Sequence, residues 1–171
     1  MSTLEKIGPA IAREGVITLQ EAAEFIWREA ELLDRQEYQE WLSLWLDEGL
    51  YIVPIERDQG DNAAKLNVLY DDAEMRKARV KRLKSGFSIS SAPSARTVRT
   101  TSRFVLSAGD EASVEVRCAQ HIVEYKFERT RVLAGDATYR LVRRAGELKM
   151  ERKEVLLINS DDALWGVGYL I

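Results

Sequence analysis

Between residues 18 and 35 the apolar side chains fall at helical spacing. Leu19, Ala22, Ala23, Ile26, Trp27, Ala30 and Leu33 share one face of a 3.6-residue period, widened by Phe25 and Leu32. Thr18 and Glu21 stand three apart in front of this run, the Thr-x-x-Glu signature of a capping box. Glu24–Arg28 and Glu31–Arg35 are i,i+4 pairs on the wet face. The spacing predicts a helix over 18–35. Tyr38, Trp41, Leu42 and Trp45 predict a second, shorter helix with Asp34 as N-cap and an end near Asp47-Glu48-Gly49. Leu50-Tyr51-Ile52-Val53-Pro54 then reads as a strand, residues 57–65 as a loop, and 72–83 as a third helix stopped by Ser85-Gly86.

From Ser94 onward the period drops from 3.6 to 2. Val98, Thr100, Ser102, Phe104 and Leu106 alternate with Thr97, Arg99, Thr101, Arg103 and Val105, and a turn follows at Ala108-Gly109-Asp110-Glu111. Val114, Val116 and Cys118 continue the alternation; a change of phase to His121, Val123, Tyr125 and Phe127 predicts a bulge near Ala119-Gln120. Leu133, Ala137, Tyr139 and Leu141 mark another strand, and Ala145-Gly146 a tight hairpin into Leu148 and Met150. Residues 164–171 read as a buried terminal strand. Helices first and long strands afterwards predict an α+β fold in one domain, 1–171, preceded by an arm over 1–17. Strands this long must coil or bulge, so the helices are expected inside a strongly curved, mostly antiparallel sheet, a cone.

Composition narrows the chemistry. With 46% hydrophobic and 31% charged residues in 171, the chain can bury a core and is not a disordered one. Its 25 Lys+Arg against 28 Asp+Glu leave −3, no field for holding a nucleic acid. One Cys excludes an internal disulfide and every multi-Cys metal cluster; one His excludes a two-His metal site within the chain. No apolar run reaches the ~18 residues of a membrane span, and the opening residues lack a signal peptide's apolar core, so a cytoplasmic location is expected.

Several strings stand in order along the chain: Glu29-Ala30-Glu31-Leu32-Leu33-Asp34 with Glu40-Trp41-Leu42, then Tyr51-Ile52-Val53-Pro54, Tyr70-Asp71-Asp72 with Arg79-Val80-Lys81-Arg82-Leu83, and Pro93-Ser94-Ala95-Arg96-Thr97. Together they resemble the small (β) subunit of aromatic-ring-hydroxylating dioxygenases. Ala95 splits the usual Ser-Arg pair, Arg103 stands where relatives often carry Asn, and Phe87 where they often carry Trp; subfamily and substrate stay open. The resemblance implies the nuclear transport factor 2-like (NTF2-like) cone fold. It further implies a structural subunit in aromatic-compound catabolism, assembled as a trimer within an α3β3 hexamer with a large α subunit. That partner would carry a Rieske 2Fe-2S cluster and a mononuclear non-haem iron. No catalytic, cofactor-binding or metal-ligating residue is expected in this chain.

Two other classes remain open on residues alone. One is a stand-alone cone-fold dehydratase or isomerase in which His121 pairs with Asp136, Tyr51 or Tyr125. The other is a non-catalytic small-molecule-binding module. Arg76, Lys77, Arg79, Lys81, Arg82 and Lys84 make the third helix basic, either as a solvated face or as a subunit contact. Arg99 and Arg103, four apart in a strand, are expected on one sheet face. Trp41 and Trp45 read as core, Cys118 as a small buried hydrophobe, and Trp165 as an aromatic that closes the cone or enters a neighbour.

Overall fold

The computed structural model describes residues 15–57, 60–85, 94–162 and 167–171. Helix α1, Leu19–Asp34, opens on the capping box: the Thr18 hydroxyl accepts from the Glu21 N–H at 3.2 Å, and the Glu21 carboxylate accepts from the Thr18 N–H at 3.0 Å. Ala22, Ala23, Phe25, Ile26, Ala30, Leu32 and Leu33 are buried. Leu19 and Trp27 are exposed, although the Trp27 ring meets Phe104 edge-on at 5.8 Å. On the wet face Glu31 pairs with Arg35 at 2.7 Å, while Glu24 accepts from Gln20. Ile17, placed in the arm by the sequence, is a core residue.

Helix α2, Tyr38–Ser43, is shorter than expected. Trp45 already begins strand β1, Trp45–Pro54, because its backbone pairs with Met150 across the sheet. The Trp41–Trp45 spacing still brings the rings together at 5.5 Å, each packed on Tyr51, so a helix-like pattern survives a change of element. The N-cap is Glu37, not Asp34, whose carboxylate is taken elsewhere. The expected loop contains a 3-10 turn, Asn62–Ala64, and is followed by a strand that periodicity did not reveal, β2, Asn67–Asp71. Helix α3, Ala73–Ser85, comes next.

Four long strands complete the sheet: β3 Arg96–Gly109, β4 Ser113–Lys126, β5 Arg129–Arg144 and β6 Glu147–Leu157. Their order is β2-β1-β6-β5-β4-β3, antiparallel throughout except for the parallel β1–β6 pair. The fold is therefore α+β with a curved, mostly antiparallel six-stranded sheet. Ala145 and Gly146, at φ 50° and 80°, form the tight β5–β6 turn that the sequence marks. Phe127 and Glu128 form an equivalent β4–β5 turn at φ 50° and 60° without a glycine.

The bulge lies in β3, not β4. Register slips between Ser102 and Val105 and again between Leu106 and Ala108, with Arg103 at φ 56°. In β4 the alternation never breaks: Val114, Val116, Cys118, Gln120, Ile122 and Glu124 all point inward. Two inward polar residues, Gln120 and Glu124, imitate a phase change in the sequence. The inner side of the sheet packs on the helices through Tyr51, Val116, Tyr139, Leu141, Met150 and Val155. Of the expected terminal strand, 163–166 including Trp165 lie outside the described residues. Residues 167–171 form no strand, but Leu170 and Ile171 are buried.

Candidate functional site

The interior of the cone holds an ion pair. Glu29 turns inward from α1 and Lys153 from β6, 1% and 0% exposed, with Nζ 2.7 Å from Oε1. Glu29 also accepts from Trp41 Nε1 at 2.9 Å and from the Tyr139 hydroxyl at 3.0 Å. The ammonium lies 5.6 Å and 5.5 Å from the Tyr51 and Tyr139 ring centroids. Burial pushes the Lys153 ammonium down, and the Glu29 carboxylate opposes that shift. Burial pushes both tyrosine hydroxyls up, reinforced by Glu29. The network is an acid–base set in composition but closed in geometry: every group is spent on another, and neither charge reaches solvent. Its chemical capacity is to fix the helix on the sheet. Sequence reasoning met Glu29 only inside a family-like string and passed over Lys153, although Glu29 sits at helical spacing from Ile26 and Leu33, and Lys153 is in phase with Val155 and Leu157.

The rim of the cone is also tied. The Tyr51 hydroxyl donates to the Ile171 carbonyl at 2.7 Å and accepts from the Ile171 N–H at 2.9 Å. Arg99, 7% exposed, reaches the Leu170 carbonyl and the Asp34 carboxylate. Asp34 also accepts from the Arg99 N–H at 2.7 Å and the Thr97 hydroxyl at 2.8 Å, so the end of α1 satisfies edge strand β3. Tyr169 donates to Glu124, which Arg131 also binds.

Two of the six basic side chains of α3, Arg76 and Arg79, are structural. Arg76 is buried and donates to the carbonyls of Leu46, Gly49 and Asp71, its guanidinium 4.3 Å from the Trp45 ring centroid. Arg79 binds Asp71 through two bonds of 2.6 and 3.0 Å, and Lys77 meets Glu74 at 2.9 Å. Lys77, Lys81 and Lys84 line a shallow open groove with Gln39 and Leu42.

Arg99 and Arg103 do not share a face. The β3 bulge inverts the phase between them, so Arg99 enters the cone while Arg103 stands outside, paired with Asp136. His121 is exposed on the outer face, in one rung with Thr100 and Ala134. The fold does not bring it to Tyr51, which is inside; Asp136 is taken by Arg103, and Tyr125 faces the Arg96 guanidinium at 4.8 Å. Cys118 is buried, and burial pushes its thiol up to about 12. Among the described residues no three His, Cys, Asp or Glu side chains gather where a metal could be shared. With one Cys and one His, the chain's donors do not fit a Rieske cluster or a two-His iron site.

The profile of the Ring hydroxylating beta subunit family matches residues 28–161, most of the chain. The chain belongs to that family. This β subunit is similar to the small oxygenase component of the p-cumate 2,3-dioxygenase system of Pseudomonas putida, at 28% identity over 143 residues, 82% of this chain and 79% of the relative. Among solved structures, the β subunit of benzoate 1,2-dioxygenase from Burkholderia mallei superimposes with TM-score 0.75 at 22% identity, covering 91% of this chain and 99% of that one. An NTF2-like protein with a cystatin-like fold from Novosphingobium aromaticivorans gives 0.57 at 13% identity, over 82% and 81%. The β subunit is thus part of an oxygenase component, with the expected cone fold.

Proposed function

We propose that this β subunit is a structural, non-catalytic partner that holds together the terminal oxygenase of an aromatic-ring-hydroxylating dioxygenase in the cytoplasm. The observation that carries the reading is the interior of the cone, where among the described residues Glu29, Lys153, Trp41, Tyr51 and Tyr139 are spent on one another, while the chain's donor set fits neither iron centre. Oxygen activation then belongs to the large subunit, with three copies of each chain in the assembly. The described residues share one core and act as one unit, and an aromatic acid or hydrocarbon is the substrate class, by analogy with the relatives' names.

The test is co-expression with the large, Rieske-bearing chain. Both chains are expected to co-purify as a brown complex, the β subunit alone to carry no stoichiometric iron, and His121→Ala to leave turnover within about twofold. Loss of turnover by a hundredfold with assembly intact, the range of a lost general base, would overturn the non-catalytic reading. Failure of the two chains to co-purify would overturn the partnership.

A further inference from the structure

A hollow of about 370 Å³ opens on the outer face of the sheet where β3 bulges against β4. Ser102 pairs with Ala119 and Val105 with Arg117, so Cys118 between them has no partner in β3. The bulge holds Arg103 at this gap with φ 56°, a left-handed conformation that a long side chain adopts only at a cost. Bulges re-aim side chains, and backbone strain of this kind gathers where a side chain is put to use. Register builds the other walls. Val105, Arg117, Thr138 and Glu154 form one rung across four strands, and Leu156 follows Glu154 on the same side. Thr138 is short and stands between the longer Arg117 and Glu154, which makes the rung a trough. The charges around it are not all matched. Asp136 is answered by Arg103, and Glu154 accepts from Arg152 at 2.6 Å and from Asn62 at 2.9 Å. Arg117 makes no hydrogen bond and no ion pair among the described residues. One guanidinium, with its planar fork of N–H donors, therefore borders the hollow unspent.

We propose that this hollow is a binding site for a small organic monocarboxylate. The carboxylate meets the Arg117 fork through two hydrogen bonds, and the apolar body of the ligand lies against Val105 and Leu156. The size is sufficient, because pockets for small molecules begin at about 300 Å³ and combine apolar walls with a few oriented polar groups. Charge selects the ligand. A cation would have to displace Arg103 or Arg152 from the carboxylates they hold. A dianion such as phosphate would bring a second negative charge beside Asp136 and Glu154, with a single unspent guanidinium to answer it. A monoanion matches the one free positive charge. The hollow shares no residue with the Glu29–Lys153 network, so binding here is independent of the structural role of the interior.

Calorimetric titration of the purified full chain at neutral pH, with benzoate as the probe, tests the site. Benzoate is expected to bind, while benzamide, of the same shape without the charge, and inorganic phosphate each bind at least about tenfold more weakly. Arg117→Gln is expected to weaken benzoate by at least about tenfold, with far-UV circular dichroism and Tm unchanged, because Arg117 holds nothing else in the fold. Asp136→Asn releases Arg103 from its carboxylate and is expected to tighten benzoate by about threefold or more, which a purely structural ion pair would not do. His121→Ala, on the same face but outside the hollow, is expected to bind as wild type does. Absence of benzoate binding, equal binding of benzamide or phosphate, or wild-type affinity in Arg117→Gln would each overturn the site. Weaker binding in Asp136→Asn would overturn the charge argument that selects the ligand. Co-purification with the large chain is read separately, so failure of the site leaves the structural reading standing.

Discussion

Replacing Glu29 with Gln removes one charge from the closed interior and changes the shape very little. The amide oxygen still accepts from Trp41, but Lys153 is left as a buried cation against two tyrosine rings. Breaking a buried pair from one side costs about 3–5 kcal/mol, because the remaining charge keeps its whole desolvation penalty. Lys153 has an escape, which is to shed its proton. From an unfolded value of about 10.4, that costs roughly 4.6 kcal/mol at pH 7 and about 1.9 kcal/mol at pH 9, at 1.36 kcal/mol per unit. The loss is therefore about 3–4.6 kcal/mol at pH 7 and under about 2 at pH 9.

The sign follows from proton counting. Lys153 is already depressed by burial, and removing Glu29 depresses it further. The unfolded chain then binds more protons than the folded one, so the stability of the variant rises with pH until the unfolded lysine titrates, with a slope approaching about 1.4 kcal/mol per unit. Wild type, with Glu29 opposing the shift, has a shallower slope. Urea unfolding between about pH 6.5 and 9.5, with m held constant, measures both. Adding Lys153→Met to Glu29→Gln should recover about 2 kcal/mol at pH 7, since the stranded charge is gone. A loss below about 1 kcal/mol with the slope of wild type would refute the claim that the pair is charged and sealed.

Three other perturbations read separate parts of the fold. Phe127→Asn with Glu128→Gly gives the β4–β5 turn the residues its positive φ values favour, and should raise folding stability of the isolated chain by about 1 kcal/mol in urea titration. Gly135→Ala drives a methyl against the Leu156 carbonyl of β6, so it should cost roughly 1–3 kcal/mol or part the β5–β6 pair, visible as lost amide protection along both strands. Cys118, its thiol pushed up to about 12, should resist iodoacetamide at about pH 8 in the native protein and react readily once unfolded.

Much of this protein is local and was therefore legible in the chain. The Thr18–Glu21 cap, the inward stripe of α1, the four long strands and the Ala145-Gly146 turn need only near neighbours and a period, so residue type and spacing define them. The exclusion of iron centres is a matter of counting one Cys and one His. What tertiary structure decided are the places where a distant partner outweighs local preference. Trp45 leaves its helix for β1 because β6 offers it backbone partners, and Asp34 abandons its capping role for Arg99 and Thr97, more than sixty residues away. Phe127-Glu128 turns without glycine because long pairing on both sides holds it there. The phase of β3 and β4 was misread because Gln120 and Glu124 point inward, which a hydrophobicity pattern cannot distinguish from a bulge. Glu29 and Lys153 are the extreme case: each alone is a charge in the wrong phase, and only the fold, by closing 124 residues of separation to 2.7 Å, makes burying both tolerable.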